Sequence, residues 1–183
     1  MSVLPEFIGK YQIRSSLGEG AMGVVYEGYD PDIERRVAIK ILHPHLINEK
    51  HGEEFLARFK REAKSAARCV HPNVVTVLEY GQDNDMPYIV MEFVEGFSLD
   101  QVIKRGRAIT LQSTLSVISG LLKALEAAHK LDIVHRDIKA ANVMILKDSR
   151  DIKLADFGIA RIAESAELTM TGAVVGTPKY MAP

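Results

Sequence analysis

The run Gly18-Glu19-Gly20-Ala21-Met22-Gly23 has the spacing of a phosphate cradle. Glycines suit that task because backbone N–H groups reach phosphate oxygens only where no side chain intervenes. The pattern alone is shared by several nucleotide folds and is equally compatible with a merely flexible hairpin. The residues after Gly23 narrow it: a dinucleotide fold needs the third glycine to open a helix, whereas Val24-Val25-Tyr26 is β-branched and aromatic, so the loop joins two strands. Lys40 sits mid-strand in Val37-Ala38-Ile39-Lys40-Ile41-Leu42, with alternation placing Ala38, Lys40 and Leu42 on one face. An ammonium there needs a counter-charge, and Glu62 shares a helical stripe with Phe55, Phe59 and Ala66. Two opposite charges aimed at one interface predict a Lys40–Glu62 pair.

The densest chemistry lies between His135 and Gly158. His135-Arg136-Asp137-Ile138-Lys139-Ala140-Ala141-Asn142 precedes two apolar runs, Val143 to Leu146 and Ile152 to Ala155, which flank a polar turn and end in Asp156-Phe157-Gly158. This reads as a hairpin. Symmetry about Ser149 would pair residues whose numbers sum to 298, setting Asn142 opposite Asp156. Two hard oxygen donors there suit Mg²⁺. Asp137, on the same loop, could orient a hydroxyl or accept its proton. For any one acidic residue a solvated loop is the default; the joint placement is what carries weight.

The elements that must position these groups are legible. Tyr11 to Leu42 reads as three antiparallel strands, Glu53 to Cys69 as a helix ended by His71-Pro72-Asn73, and Val74 to Gly81 and Tyr88 to Glu92 as two further strands. After Gly96 the period becomes helical: Leu99 to Lys104 is short, and Leu111 to Lys130 is long with Leu115, Ile118, Leu122 and Leu125 on one stripe. The expected fold is α+β: a five-stranded antiparallel N-lobe (11–92) with one main helix, a hinge (93–97), and the start of a mainly helical C-lobe (98–183). Residues 1–10 are an N-terminal extension. Clefts between lobes are where ligands tend to bind.

Composition bounds the partners. The chain has 183 residues, 47% of them hydrophobic, and a formal net charge of -1, so it carries no basic footprint for nucleic acid. The single cysteine, Cys69, rules out an internal disulfide and suits a reducing compartment as a buried thiol. No leader pattern and no apolar run of membrane-spanning length is present, which predicts a cytoplasmic segment without membrane contact.

Taken together, these motifs resemble the eukaryotic-type (Hanks-type) protein kinases, from about Tyr11 to Pro183, and are most similar to bacterial members. Gly18, Gly20, Gly23 and Val24 match the glycine-rich loop over the ATP phosphates, and Val37-Ala38-Ile39-Lys40 the strand whose lysine holds the α- and β-phosphates, with Glu62 as its helix partner. The resemblance implies that Leu17, Val25 and Ala38 also line the ATP site, with Met91 as gatekeeper and Glu92 and Val94 offering backbone hydrogen bonds to adenine. It implies Asp137 as catalytic base, Lys139 as neutraliser of the transferring group, and Asn142 and Asp156 as ligands of Mg²⁺, with Mn²⁺ as a substitute. Lys139 and Gly176-Thr177-Pro178 look like the Ser/Thr branch, Thr177 helping to position the catalytic loop. Arg136 resembles kinases switched on by activation-loop phosphorylation, with Thr169 and Thr171 as candidate acceptors, Ser165 behind them, and a kinase dimer for trans-autophosphorylation.

The implied function is transfer of the γ-phosphoryl of Mg-ATP to Ser/Thr hydroxyls of proteins; the alternative is a pseudokinase or inactive fragment acting as an interaction module. In the family, later helices complete the C-lobe, and bacterial members often carry a membrane span further on. Residues 1–183 alone are therefore expected to expose the apolar face of the long helix, to be aggregation-prone or partly unfolded, and to be weakly active or inactive.

Overall fold

The computed structural model describes residues 4–20, 22–47, 52–106 and 109–157. The chain divides into two compact units. One holds the residues up to Ala67 together with Val77–Phe93, and the other holds Arg68–Thr76 together with the residues from Val94 onward.

The first unit is an antiparallel sheet of six strands, not five: β1 (Phe7–Ile8), β2 (Tyr11–Gly20), β3 (Gly23–Asp30), β4 (Arg35–Leu42), β5 (Val77–Asp83) and β6 (Met86–Glu92), in the order β1-β2-β3-β4-β6-β5. The extra strand comes from the expected N-terminal extension. Gly9 takes a left-handed φ of 56°, and the two-residue turn Gly9-Lys10 folds Phe7–Ile8 back on β2. Two residues are too few to show an alternation, so this strand carries no periodic signal. A second tight turn, Asn84-Asp85, has both residues left-handed and closes β5 on β6.

One face of this sheet buries Ile8, Tyr11, Ile13, Val37, Ile39, Tyr88 and Val90. The other carries the cross-strand row Val25, Lys40, Ile89 and Tyr80. Helix α1 (Gly52–Ala67) packs on β5, its Phe59 ring 6.0 Å from that of Tyr80. Its apolar stripe is the expected one: Phe55, Phe59, Ala63 and Ala66 are all buried.

The second unit contains a three-stranded sheet of β7 (Gly96–Ser98), β8 (Val143–Leu146) and β9 (Ile152–Leu154) with helices α2 (Leu99–Lys104) and α3 (Leu111–His129). Both helices start on hydroxyl caps: Ser98 forms a reciprocal capping box with Gln101, and Thr110 accepts from the Ser113 N–H. The apolar stripe of α3 is uncovered, as expected for residues 1–183, and the buried seam is a different one. Leu115, Ile118 and Leu122 are exposed, and Gly120, Ala124 and Ala128 are buried instead. Small residues let the helix approach β9 closely; a Cβ on Gly120 would stand 2.6 Å from Ile152 Cγ1.

The segment 68–76 also differs from expectation. The fifth strand starts at Val77 rather than Val74, because Asn73 to Val75 runs along β9: the Leu154 N–H donates to Asn73 O, the Val75 N–H to Leu154 O, and Asn73 Nδ2 to Ile152 O at 2.8 Å. Cys69 is buried, and burial pushes its thiol pKa up.

Candidate active site

In the first unit the glycine-rich run is the tip of the β2–β3 hairpin, with Gly20 paired to Gly23 and Gly18 to Val25. The three glycines are there for different reasons. Around Gly18 and Gly20 a Cβ would meet nothing within 4 Å, so the protein itself does not require glycine there. At Gly23 a Cβ would lie 1.8 Å from Ile41 O, so the strand pairing requires it. Leu17, just before the tip, is exposed.

Strand register brings together Val25, Ala38, Lys40, Met91 and Glu92 of the expected nucleotide residues. Val25 stands opposite Lys40, and in the next row of the same face Ala38 stands opposite Met91. Lys40 and Met91 are buried, whereas Val25, Ala38, Glu92 and Val94 are half-buried. The adjacency of β4 and β6 is not readable from the chain, because α1 and β5 intervene. Glu62 is half-buried on α1.

In the second unit the loop from His135 to Asn142 is knotted by its own side chains. Asn142 Nδ2 donates to Asp137 O at 2.8 Å and to Asp137 Oδ2 at 3.0 Å, and Lys139 Nζ lies 2.6 Å from the same Oδ2. Asn142 is buried and Asp137 half-buried. Arg136 is exposed and has a φ of 66°, a conformation that costs a non-glycine residue roughly 1–3 kcal/mol and that tends to survive at functional loops. Asp156 is likewise left-handed, at 62°.

His135 is the pin under this loop. It is 1% exposed, its ring packs on Phe157 at 4.6 Å, and Nε2 sits 2.8 Å from Ala155 O. A carbonyl only accepts, so Nε2 carries the hydrogen. Nδ1 accepts from the Asp137 N–H at 3.2 Å, which requires a lone pair and hence a neutral ring. Burial accordingly pushes the His135 pKa below its ordinary value, against the opposing pull of the Ala155 bond and the carboxylates of Asp156 and Asp137. The motif placed His135 in the loop without revealing this support role; nor did the breaker His71-Pro72-Asn73 reveal Asn73 as a tether of β9.

The β8–β9 register corrects one expectation. Val143 pairs with Leu154, Met144 with Lys153 and Ile145 with Ile152, so partner numbers sum to 297. The turn between Leu146 and Asp151 contains four residues with Arg150 left-handed, and an even loop has no central residue. Asn142 therefore meets Ala155, whose N–H donates to Asn142 O at 2.8 Å, and Asp156 lies one position beyond. Thr169, Thr171, Ser165 and Thr177 lie outside the described residues.

The oxygen donors present, the Asn142 carboxamide and the Asp156 carboxylate, fit a hard cation such as Mg²⁺ that keeps water or phosphate in its other positions. No helix among the described residues is long and apolar enough to cross a membrane.

The protein kinase domain family matches residues 11–183. The chain is 39% identical over 96% of its length to a probable serine/threonine-protein kinase of Bifidobacterium longum, pknA2, and 40% identical over 96% to the serine/threonine-protein kinase PrkC of Bacillus subtilis; it spans 23% and 26% of those proteins. Among solved structures it resembles the PknI kinase domain of Mycobacterium tuberculosis, with a TM-score of 0.75 at 32% identity, covering 87% of this chain and 64% of that one. With the glycine hairpin, the buried strand lysine and the knotted Asp137 loop in the order this family requires, the chain belongs to the protein kinase family and groups with its bacterial serine/threonine members.

Proposed function

We propose that this chain carries the nucleotide and catalytic machinery of an ATP-dependent protein Ser/Thr kinase. The observation that supports it most directly is the Asp137 carboxylate held between Asn142 Nδ2 and Lys139 Nζ. A carboxylate fixed in this way is a preorganised acceptor for a substrate hydroxyl proton. As the hydroxyl oxygen bonds to the γ-phosphorus, the proton passes toward Asp137 and the bond to the β-phosphate oxygen breaks, releasing ADP. Lys139 offsets the negative charge on the transferring group.

In the first unit, the open space at Gly18 and Gly20 admits phosphate oxygens to the backbone, Lys40 takes the α- and β-phosphates, and Val25, Ala38, Met91 and Glu92 contact adenine and ribose, with Leu17 beside them. Glu62 on α1 is the counter-charge for Lys40. Asn142 and Asp156 would hold Mg²⁺, or Mn²⁺ in its place, and the cation would supply positive charge to neutralise the phosphates. Exposed Arg136 offers a partner for a phosphate on Thr169 or Thr171, added by a second copy of the kinase. The segment acts in the cytoplasm.

The test is Mg²⁺- and ATP-dependent autophosphorylation of the full-length protein, with the modified residues mapped. Asp137→Asn is expected to lower transfer by about 10²–10⁴-fold without lowering the melting temperature. Transfer that survives this change removes Asp137 as the base, and none in the wild type favours a nucleotide-binding pseudokinase.

A further inference from the structure

The glycine hairpin is held at its tip by a residue outside it. His43, immediately after β4, donates its backbone N–H to Met22 O at 3.0 Å, and its side-chain Nε2 lies 2.9 Å from Gly20 O. Since a carbonyl only accepts, Nε2 is again the protonated nitrogen. One residue thus holds the carbonyls on both sides of the turn. The His43 ring is itself braced: His45 stacks on it at 5.4 Å with 19° between planes, and Glu19 Oε1 lies 3.9 Å from Nε2.

We propose that His43 is a positioning residue for nucleotide binding, a clamp that orients the peptide planes of the glycine hairpin. The inference rests on the kinase reading of that hairpin. In a planar trans peptide the N–H points opposite to the preceding C=O, so a hydrogen bond that holds a carbonyl also fixes the orientation of its peptide plane. Glycine has the largest conformational freedom to lose. With no packing around Gly18 and Gly20 to restrict them, a clamp on the neighbouring carbonyls removes part of that freedom before a phosphate arrives.

The test compares His43→Ala with His43→Gln, which keeps an N–H donor, in the full-length protein. Without nucleotide, amide hydrogen exchange across residues 18–23 is expected to quicken about fivefold in His43→Ala, the factor one neutral hydrogen bond carries, and to return toward wild type in His43→Gln. The KM for Mg-ATP should rise by a similar factor in His43→Ala with kcat within about twofold, since the clamp touches no reacting atom. Unchanged exchange in His43→Ala overturns the clamp whatever the nucleotide does. Faster exchange with an unchanged KM, or a kcat loss that His43→Gln does not rescue, overturns its role in binding. A wild type that neither binds nor turns over Mg-ATP overturns the kinase reading separately, because the exchange arm needs no nucleotide.

Discussion

The glycine hairpin and the Asp137 loop hold their chemistry in opposite ways. In the hairpin the proposed functional groups belong to the backbone, the space above Gly18 and Gly20 is open, and geometry is imposed from the neighbouring strand through Gly23 and His43. In the loop the functional groups are side chains, and they fix one another: Asn142 and Lys139 converge on Asp137 while His135 supports them from the buried side. Backbone sites need small residues and an external brace. Side-chain sites need a buried pin and tolerate strained backbone, as at Arg136 and Asp156.

The sharpest way to break this contrast is to remove the pin. His135→Ala leaves a cavity and an unpaired Ala155 carbonyl, and is expected to cost about 3–5 kcal/mol in denaturant unfolding. A cost below about 1 kcal/mol would mean the loop holds itself. The same residue makes a pH prediction. Its folded pKa lies below the ordinary 6.5, so between those two values the unfolded chain binds the extra proton. Its contribution to stability is full above pH 6.5 and declines as pH falls through the folded pKa. Stability measured from pH 7.5 down to 5 should fall in the wild type with a component that His135→Gln lacks.

A smaller effect separates the glycines themselves. Gly23→Ala drives a Cβ into Ile41 O and should destabilise by about 1–3 kcal/mol. Gly18→Ala and Gly20→Ala meet open space and should stay within about 0.5 kcal/mol in thermal unfolding, while weakening Mg-ATP binding. Equal destabilisation at all three positions would erase the distinction between a packing glycine and a ligand-facing one.

The smallest expected effect concerns the second unit, closed at its loop but open along α3. Leu115→Lys with Leu122→Lys changes only exposed positions and should alter the stability of residues 1–183 by about 0.5 kcal/mol or less, yet raise the concentration at which they remain monodisperse in light scattering. A large loss of stability would show that this face is packed after all.

Much of the architecture was legible because it is local. Phe55, Phe59, Ala63 and Ala66 announced α1 by their spacing and are its buried stripe. Alternation put Lys40 and Ala38 on one face of a strand, and the pairing of β3, β4 and β6 bears that out. Residue types fixed the inventory of candidate donors and acceptors. The α3 seam was missed because Gly120 and Ala124 are weakly hydrophobic, and they bury for the closeness they allow rather than the area they hide.

The amino-acid order by itself determined most of the element types, the inventory of candidate catalytic residues and the family. Only the tertiary structure decided the relations between distant segments: the order β4-β6-β5, the pairing of Asn142 with Ala155, the run of Asn73 along β9, and the reach of His43 to Gly20. The physical reason is that helical and strand periods are set by neighbours along the chain. Register depends on the parity of a turn, and a hydrogen bond to a carbonyl leaves no trace in the residue that supplies it.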